Sequence, residues 1–211
     1  MNFHLPIITP TLRTILVIFL APLNPEIIDS VSANTQSNNL IIDDRTSGNL
    51  NSNLGTKWRL VTDNVMGGLS TGNLTLDNIK EKNCLRMRGD VNTENNGGFL
   101  LIALPLSDNK SDDKPFDASA YTGIEIEVSG NNESYNIHFR TDDLWFPWQS
   151  YRFSFKAAPD WQTYRFPFSK IEPYRTTKEF SQDEIMRIGL VAIGREFQAD
   201  LCIASIKFYT E

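Results

Sequence analysis

Histidine, cysteine and positive charge are all scarce in this chain, and each scarcity closes off a class of function. The two histidines are His4, near the start, and His138. General acid–base chemistry draws first on histidine, so an enzyme would have little to work with. The two cysteines, Cys84 and Cys202, carry none of the close spacings of a zinc site. Both fall in expected strands, where a disulfide and a pair of small buried thiols are equally open readings. Lys and Arg number 20 against 26 Asp and Glu, for a net charge of −6 without a basic run. That balance excludes the positive field on which nonspecific nucleic-acid binding depends. Helical periodicity is nearly missing. Only TTKEFSQDEIMR suggests a helical turn, with Ser181 and Glu184 at capping-box spacing. No apolar run reaches the ~20 residues of a membrane-crossing helix.

What is present begins with an apolar leader. Arg13 precedes ILVIFLAPL, and Val31 and Ala33 stand as the small residues of a cleavage site. A charged start, a short apolar run and a small-x-small exit predict a secretory signal over residues 1–33. An uncleaved membrane tether, a misassigned start and a plain apolar tail are the alternatives. A working leader implies an exported, periplasmic or membrane-associated protein, and its absence a cytoplasmic one. Residues 34–39 read as a linker and 40–211 as one β-sandwich domain.

From Trp58 onward the pattern has period two. Ile124, Ile126 and Val128 alternate with Glu125 and Glu127; Tyr135, Ile137 and Phe139 with Asn136, His138 and Arg140; Tyr151, Phe153 and Phe155 with Arg152, Ser154 and Lys156. Such alternation marks antiparallel strands with one buried and one wet face. Leu40–Ile42 predicts a first strand. Segments 186–193 and 201–209, apolar on both parities, predict central ones. Roughly ten short strands with turns between them indicate an all-β, two-sheet antiparallel jelly-roll sandwich.

Gly68-Leu69-Ser70-Thr71-Gly72 has the G-x-S-x-G form of a hydrolase nucleophile elbow. That elbow requires a strand before the serine and a helix after it, whereas NLTLDN follows here and alternates like a strand. The glycines are better explained by conformation. Gly67-Gly68 and Gly97-Gly98 permit positive φ and close backbone approach, and Gly68 is expected in a conformation closed to β-branched residues.

WRLVTDNVMGGLSTG, NNGGF and WQTYRFPFSKIEP together resemble the complex I intermediate-associated protein 30 family. The residues that carry the resemblance are Trp58, Asp63, Val65, Met66, Gly67, Gly68 and Ser70, then Gly97, Gly98 and Phe99, then Trp161, Phe166, Phe168 and Pro173. The resemblance implies a galactose-binding-like jelly roll and a chaperone-like role in assembling respiratory complex I, with relatives in photosynthetic lineages. It transfers no catalytic residue, so the motif residues are expected to be structural.

The surface richest in binding chemistry is HFRTDDLWFPWQSYR. His138, Arg140 and Arg152 are expected on one wet face, and Trp145 and Trp148 in the loop between. Trp and Arg combine large area with directed hydrogen bonds, and the alternative is that both tryptophans cap the core. The glycine-rich end near Gly67 and Gly97 is the second candidate surface. Asp142-Asp143 and Asp112-Asp113 read as solvated loop acids, with Ca²⁺ ligation as the alternative. The expected function is non-catalytic binding of a protein partner, such as a subunit of a respiratory or photosynthetic membrane complex. The alternative is an exported carbohydrate- or surface-binding module. No cofactor, metal or nucleic acid is expected.

Overall fold

The computed structural model describes residues 38–107 and 114–211, together with Met1. The leader, its cleavage site and Asp112-Asp113 lie outside the described residues. The alternating segments become the strands of two antiparallel sheets. The first sheet runs β3 (Thr71–Ile79), β4 (Lys82–Val91), β12 (Phe197–Tyr209), β6 (Gly123–Gly130) and β9 (Gln162–Pro167), with β1 (Leu40–Asp43) pairing the end of β12. The second runs β10 (Glu172–Tyr174), β8 (Ser150–Lys156), β7 (Ser134–Thr141), β11 (Ile185–Ile193), β5 (Phe99–Pro105) and β2 (Arg59–Thr62). This is a two-sheet jelly-roll sandwich, and β11 and β12 are central in their sheets as their double-sided apolar pattern predicts.

Alternation sends one parity of each strand into the space between the sheets. Ile124, Ile126 and Val128 of β6 face inward, as do Tyr135, Ile137 and Phe139 of β7, and all are essentially fully buried. Leu100, Ile102 and Leu104 of β5 and Ile188, Leu190 and Ala192 of β11 complete the floor. Each large side chain so buried contributes roughly 1.5–3 kcal/mol of transfer free energy. Phe139 meets Phe153, Phe168 and Phe180 edge-on. The expected capping box does not form. Gln182–Glu184 is a single 3-10 turn, and the Ser181 hydroxyl donates to Asp183 at 2.7 Å instead of accepting from a backbone amide. Three residues are too few for an α-helix, and β11 begins at once.

Trp58 owes its burial to a partner that its own segment does not contain. Its indole Nε1 donates to Asp43 at 2.5 Å, and Asp43 also accepts from the Arg45 guanidinium. Arg45 is almost fully buried, and burial lowers its pKa to about 10. The loop from 43 to 58 is thereby pinned to the sandwich.

The outer face of the first sheet is crossed by ion pairs. Arg86 bridges Asp77 at 2.6 Å and Asp200 at 2.7 Å, and Glu125 accepts from Arg165 and Lys207 at 3.1 and 2.9 Å. Cys84 on β4 and Cys202 on β12 form a disulfide on this face, with Cα atoms 5.6 Å apart. Beside it Ser129 donates to the Pro159 carbonyl, and Trp161 Nε1 to the Ile79 carbonyl at 3.2 Å. Trp161 thus belongs to this closed face.

Candidate functional site

The DNVMGGLS motif builds a clasp around one buried carboxylate. Thr62 ends β2, and Asp63–Met66 form a 3-10 turn closed by Gly67 in the left-handed region at φ 86°. The turn carries Asp63 inward, where it has no solvent exposure. Its carboxylate accepts from Ser70 N at 2.9 Å, Gly98 N at 2.5 Å, Phe99 N at 3.2 Å and the Ser70 hydroxyl. Burial alone would raise the Asp63 pKa, but the hydrogen bonds from Ser70, Gly98 and Phe99 outweigh it and hold the carboxyl below its usual range. Gly68 is not in the left-handed region as expected. Its constraint is contact, because a Cβ there would run into the Asp63 carboxyl, and one at Gly97 would stand 2.6 Å from Asp63 Oδ2. The two glycine pairs thus close on the same aspartate.

Ser70 is correspondingly no nucleophile. It is fully buried, bonded to Asp63, and its oxygen accepts from Asn92 N at 2.9 Å. The clasp instead has an outward consequence. It pushes Val65 and Met66 into solvent, 73% and 57% exposed. The sequence pattern assigned them a structural part along with the rest of the motif, but the clasp is made by Asp63, Gly67, Gly68 and Ser70 with Gly97, Gly98 and Phe99, and not by these two side chains.

Val65 and Met66 form one rim of a cleft of about 490 Å³ over the outer face of the second sheet. The register explains the depression. Gly189 of β11 lies between His138 of β7 and Ala103 of β5, so the middle of the floor has little side chain. Leu101 leans over Gly189, and Val61, Phe99 and Ile193 continue the floor as an apolar end. At the other end Arg187 lies opposite Arg140 across β11 and β7, with Ser150, Tyr174 and Arg175 around them. Among the described residues no Asp or Glu lines this cleft. Beyond Arg140 and Arg187 a second, more open cavity includes Asp142 and Trp145.

The cleft brings the first and second candidate surfaces together, since Gly97 and Gly98 line it along with His138, Arg140 and Trp148. The individual roles differ from those expected. His138 faces outward but is not wet. Burial, with Arg152 and Arg187 beside it, lowers its pKa to about 4, and its Nε2 finds no hydrogen-bond partner among the described residues. Arg140 is engaged structurally, donating to the carbonyls of Leu144, Phe146 and Gln149 at 2.6–2.9 Å, and so it holds the aromatic loop. That loop does not cap the core. Trp145 is 86% exposed and Trp148 51%, with Phe146 stacked on Trp148 at 4.9 Å. Arg152 stands at the margin, its guanidinium 4.0 Å over the Tyr174 ring. Asp143 receives the Thr141 hydroxyl and pairs with Lys178 at 3.3 Å. Among the described residues no group of three or more His, Cys, Asp or Glu is placed to hold a metal ion.

Arg187, Ser150, Tyr174 and Arg175 were not legible as site residues. For Arg187 and Gly189 a faint signal existed in the polar parity of IMRIGLVAI, but β10 is too short to show any period.

The sequence pattern of complex I intermediate-associated protein 30 matches residues 49–203. The chain belongs to this family. No curated protein matches it. Among solved structures it is similar to the family 11 carbohydrate-binding module of the cellulosomal cellulase Lic26A-Cel5E of Clostridium thermocellum. The TM-score is 0.63 at 15% identity, over 82% of this chain and 95% of that one. A family 11 module from the same organism, in complex with a β-1,3-1,4-mixed-linked tetrasaccharide, gives 0.61 at the same identity and coverage. A family 30 carbohydrate-binding module gives 0.54 at 14%, over 82% and 88%. At such identities the likeness is one of fold: this member of the family is a two-sheet antiparallel jelly roll.

Proposed function

We propose that the chain is a non-catalytic, chaperone-like binding domain that assists assembly of a membrane complex of the respiratory complex I type. The carrying observation is the composition of the cleft, apolar at one end and guanidinium-rich at the other, with exposed Met and Trp on its rims. Apolar floor with adaptable Met and aromatic rims suits the side chains of a protein segment. That floor would leave a sugar's hydroxyls without matching donors and acceptors. A non-catalytic reading is supported by Ser70, buried against a carboxylate, and by His138, whose pKa of about 4 makes a poor base at neutral pH. Deleting the gene in the native host and resolving membranes on native gels tests this reading. Loss of the assembled NADH dehydrogenase, restored by the wild-type gene, is the expected result; undiminished complex would overturn it.

A second reading, an exported carbohydrate- or surface-binding module, has its own observations. The Cys84–Cys202 disulfide fits an oxidising compartment, and the similar folds include one solved with a bound tetrasaccharide. Binding of mixed-linkage β-glucan by the purified domain would favour it.

A further inference from the structure

The cations of the cleft have no counter-charge. None of Arg140, Arg152, Arg175 and Arg187 forms an ion pair among the described residues, whereas Arg86, Arg88, Arg165, Lys82 and Lys207 on the opposite face all do. Like charges placed opposite one another on neighbouring strands are unfavourable, and Arg187 faces Arg140 in that way. Arg187 is also half-buried, and burial holds its pKa below the usual arginine value. Two further polar groups share the wall without a hydrogen-bond partner among the described residues. The Ser150 hydroxyl is buried, at 4% residual exposure, and His138 Nε2 is buried as well. Buried polar groups left unpaired are costly, so a cavity lined by several of them is shaped for something that supplies acceptors. On a chain of net charge −6 this cationic pocket is a local exception.

We propose that this end of the cleft is a carboxylate-recognition subsite, centred on Arg187 with Ser150 and His138, that takes an acidic side chain of an extended partner segment. The inference rests on the protein-binding reading and specifies its ligand. A guanidinium presents a planar fork that matches a carboxylate, and Arg140, already engaged with three loop carbonyls, holds the aromatic rim. In its Nε2–H tautomer neutral His138 donates without adding charge. The apolar end dictates the rest of the segment. Arg187 and Ile193 lie six positions apart on β11, a span of about 20 Å at the rise of a strand. An extended occupant therefore carries its acidic and apolar anchors about six residues apart, the second resting among Val61, Phe99 and Ile193. A phosphate or a uronic acid would satisfy the charge and leave the apolar end empty, so a peptide uses more of the surface.

A displayed library of random 12-residue peptides, selected on the purified domain, provides the test, with polygalacturonate and mixed-linkage β-glucan assayed beside it. The expected result is enrichment of Asp or Glu about six positions from an apolar residue. Selected peptides should lose about tenfold in affinity on Arg187→Gln, and less on Arg175→Gln at the rim. Arg187→Lys, keeping charge but not the fork, should restore only part of the loss, and binding to wild type should weaken with salt. Selected peptides without an acidic preference, or an acidic preference unchanged in both Gln variants, would overturn the subsite and leave protein binding standing. No peptide enrichment together with binding of either polysaccharide would overturn both. No enrichment and no polysaccharide binding would overturn the subsite alone.

Discussion

The two outer faces of the sandwich are built from the same kinds of strand and reach opposite ends. On the first sheet every bridging cation has a carboxylate, the disulfide ties β4 to β12, and the segment around Pro159 and Trp161 packs alongside. On the second sheet the cations face a hollow, two buried polar atoms lack partners among the described residues, and the apolar rim points into solvent. One face is satisfied by its own residues. The other is not, which is why the proposed binding surface is placed there, and the difference teaches that exposure and charge point to a working surface when they are unmatched internally.

The closed face should therefore respond to mutation through stability, and the open face through binding. The largest effect is expected from Cys84→Ser with Cys202→Ser. Opening a loop whose ends are 118 residues apart should cost about 3–4 kcal/mol in chemical denaturation. A midpoint that does not move would show that the closed face does not depend on its covalent tie.

Asp63→Ala comes next, because it strips the acceptor from four buried donors. A loss of about 3 kcal/mol is expected, with Gly68→Val striking the same clasp and Ser70→Ala costing less. Trp148 fluorescence and protease sensitivity around Val65 would report whether the rim is lost with it. If Asp63→Ala melts like wild type, the clasp is not what shapes the motif.

Acid provides a third probe. Free imidazole titrates near 6.5 in the unfolded chain, while His138 in the fold titrates at about 4. Between those values the unfolded state holds the extra proton, so stability falls as pH drops from 6.5 to about 4, by up to about 3 kcal/mol. Asp63, with its lowered pKa, adds a separate loss only below 3.8. His138→Gln should remove the upper leg and spare the lower one. An unchanged profile in that variant would assign the upper leg to another group.

Arg140→Ala should cost about 1–2 kcal/mol, since three loop carbonyls lose their donor, and should loosen Trp145 and Trp148 toward faster amide exchange. The smallest stability effect belongs to Arg187→Met. Replacing an unpaired, half-buried cation with an apolar chain of similar length should leave stability within about 0.5 kcal/mol of wild type, or raise it. A clear destabilisation would mean that Arg187 supports the fold.

Alternation alone determined which residues of β6, β7 and β8 enter the core, because a strand's two-residue period places successive side chains on opposite faces whatever the topology. The count of such segments determined the sandwich, and the run from Asp63 to Ser70 determined the family. Tertiary structure decided what those residues do. Asp63 meets Gly98 from 35 positions away, and Trp58 meets Asp43 through a loop with no period. Arg187 becomes a neighbour of Arg140 only because β11 lies beside β7, a pairing that no local pattern encodes. Cys84 and Cys202 likewise needed the adjacency of β4 and β12 before they could be joined. Periodicity is local, so it is written along the chain; charge balance and cavity shape are sums over strands distant in sequence, so they exist only once the sheets have formed.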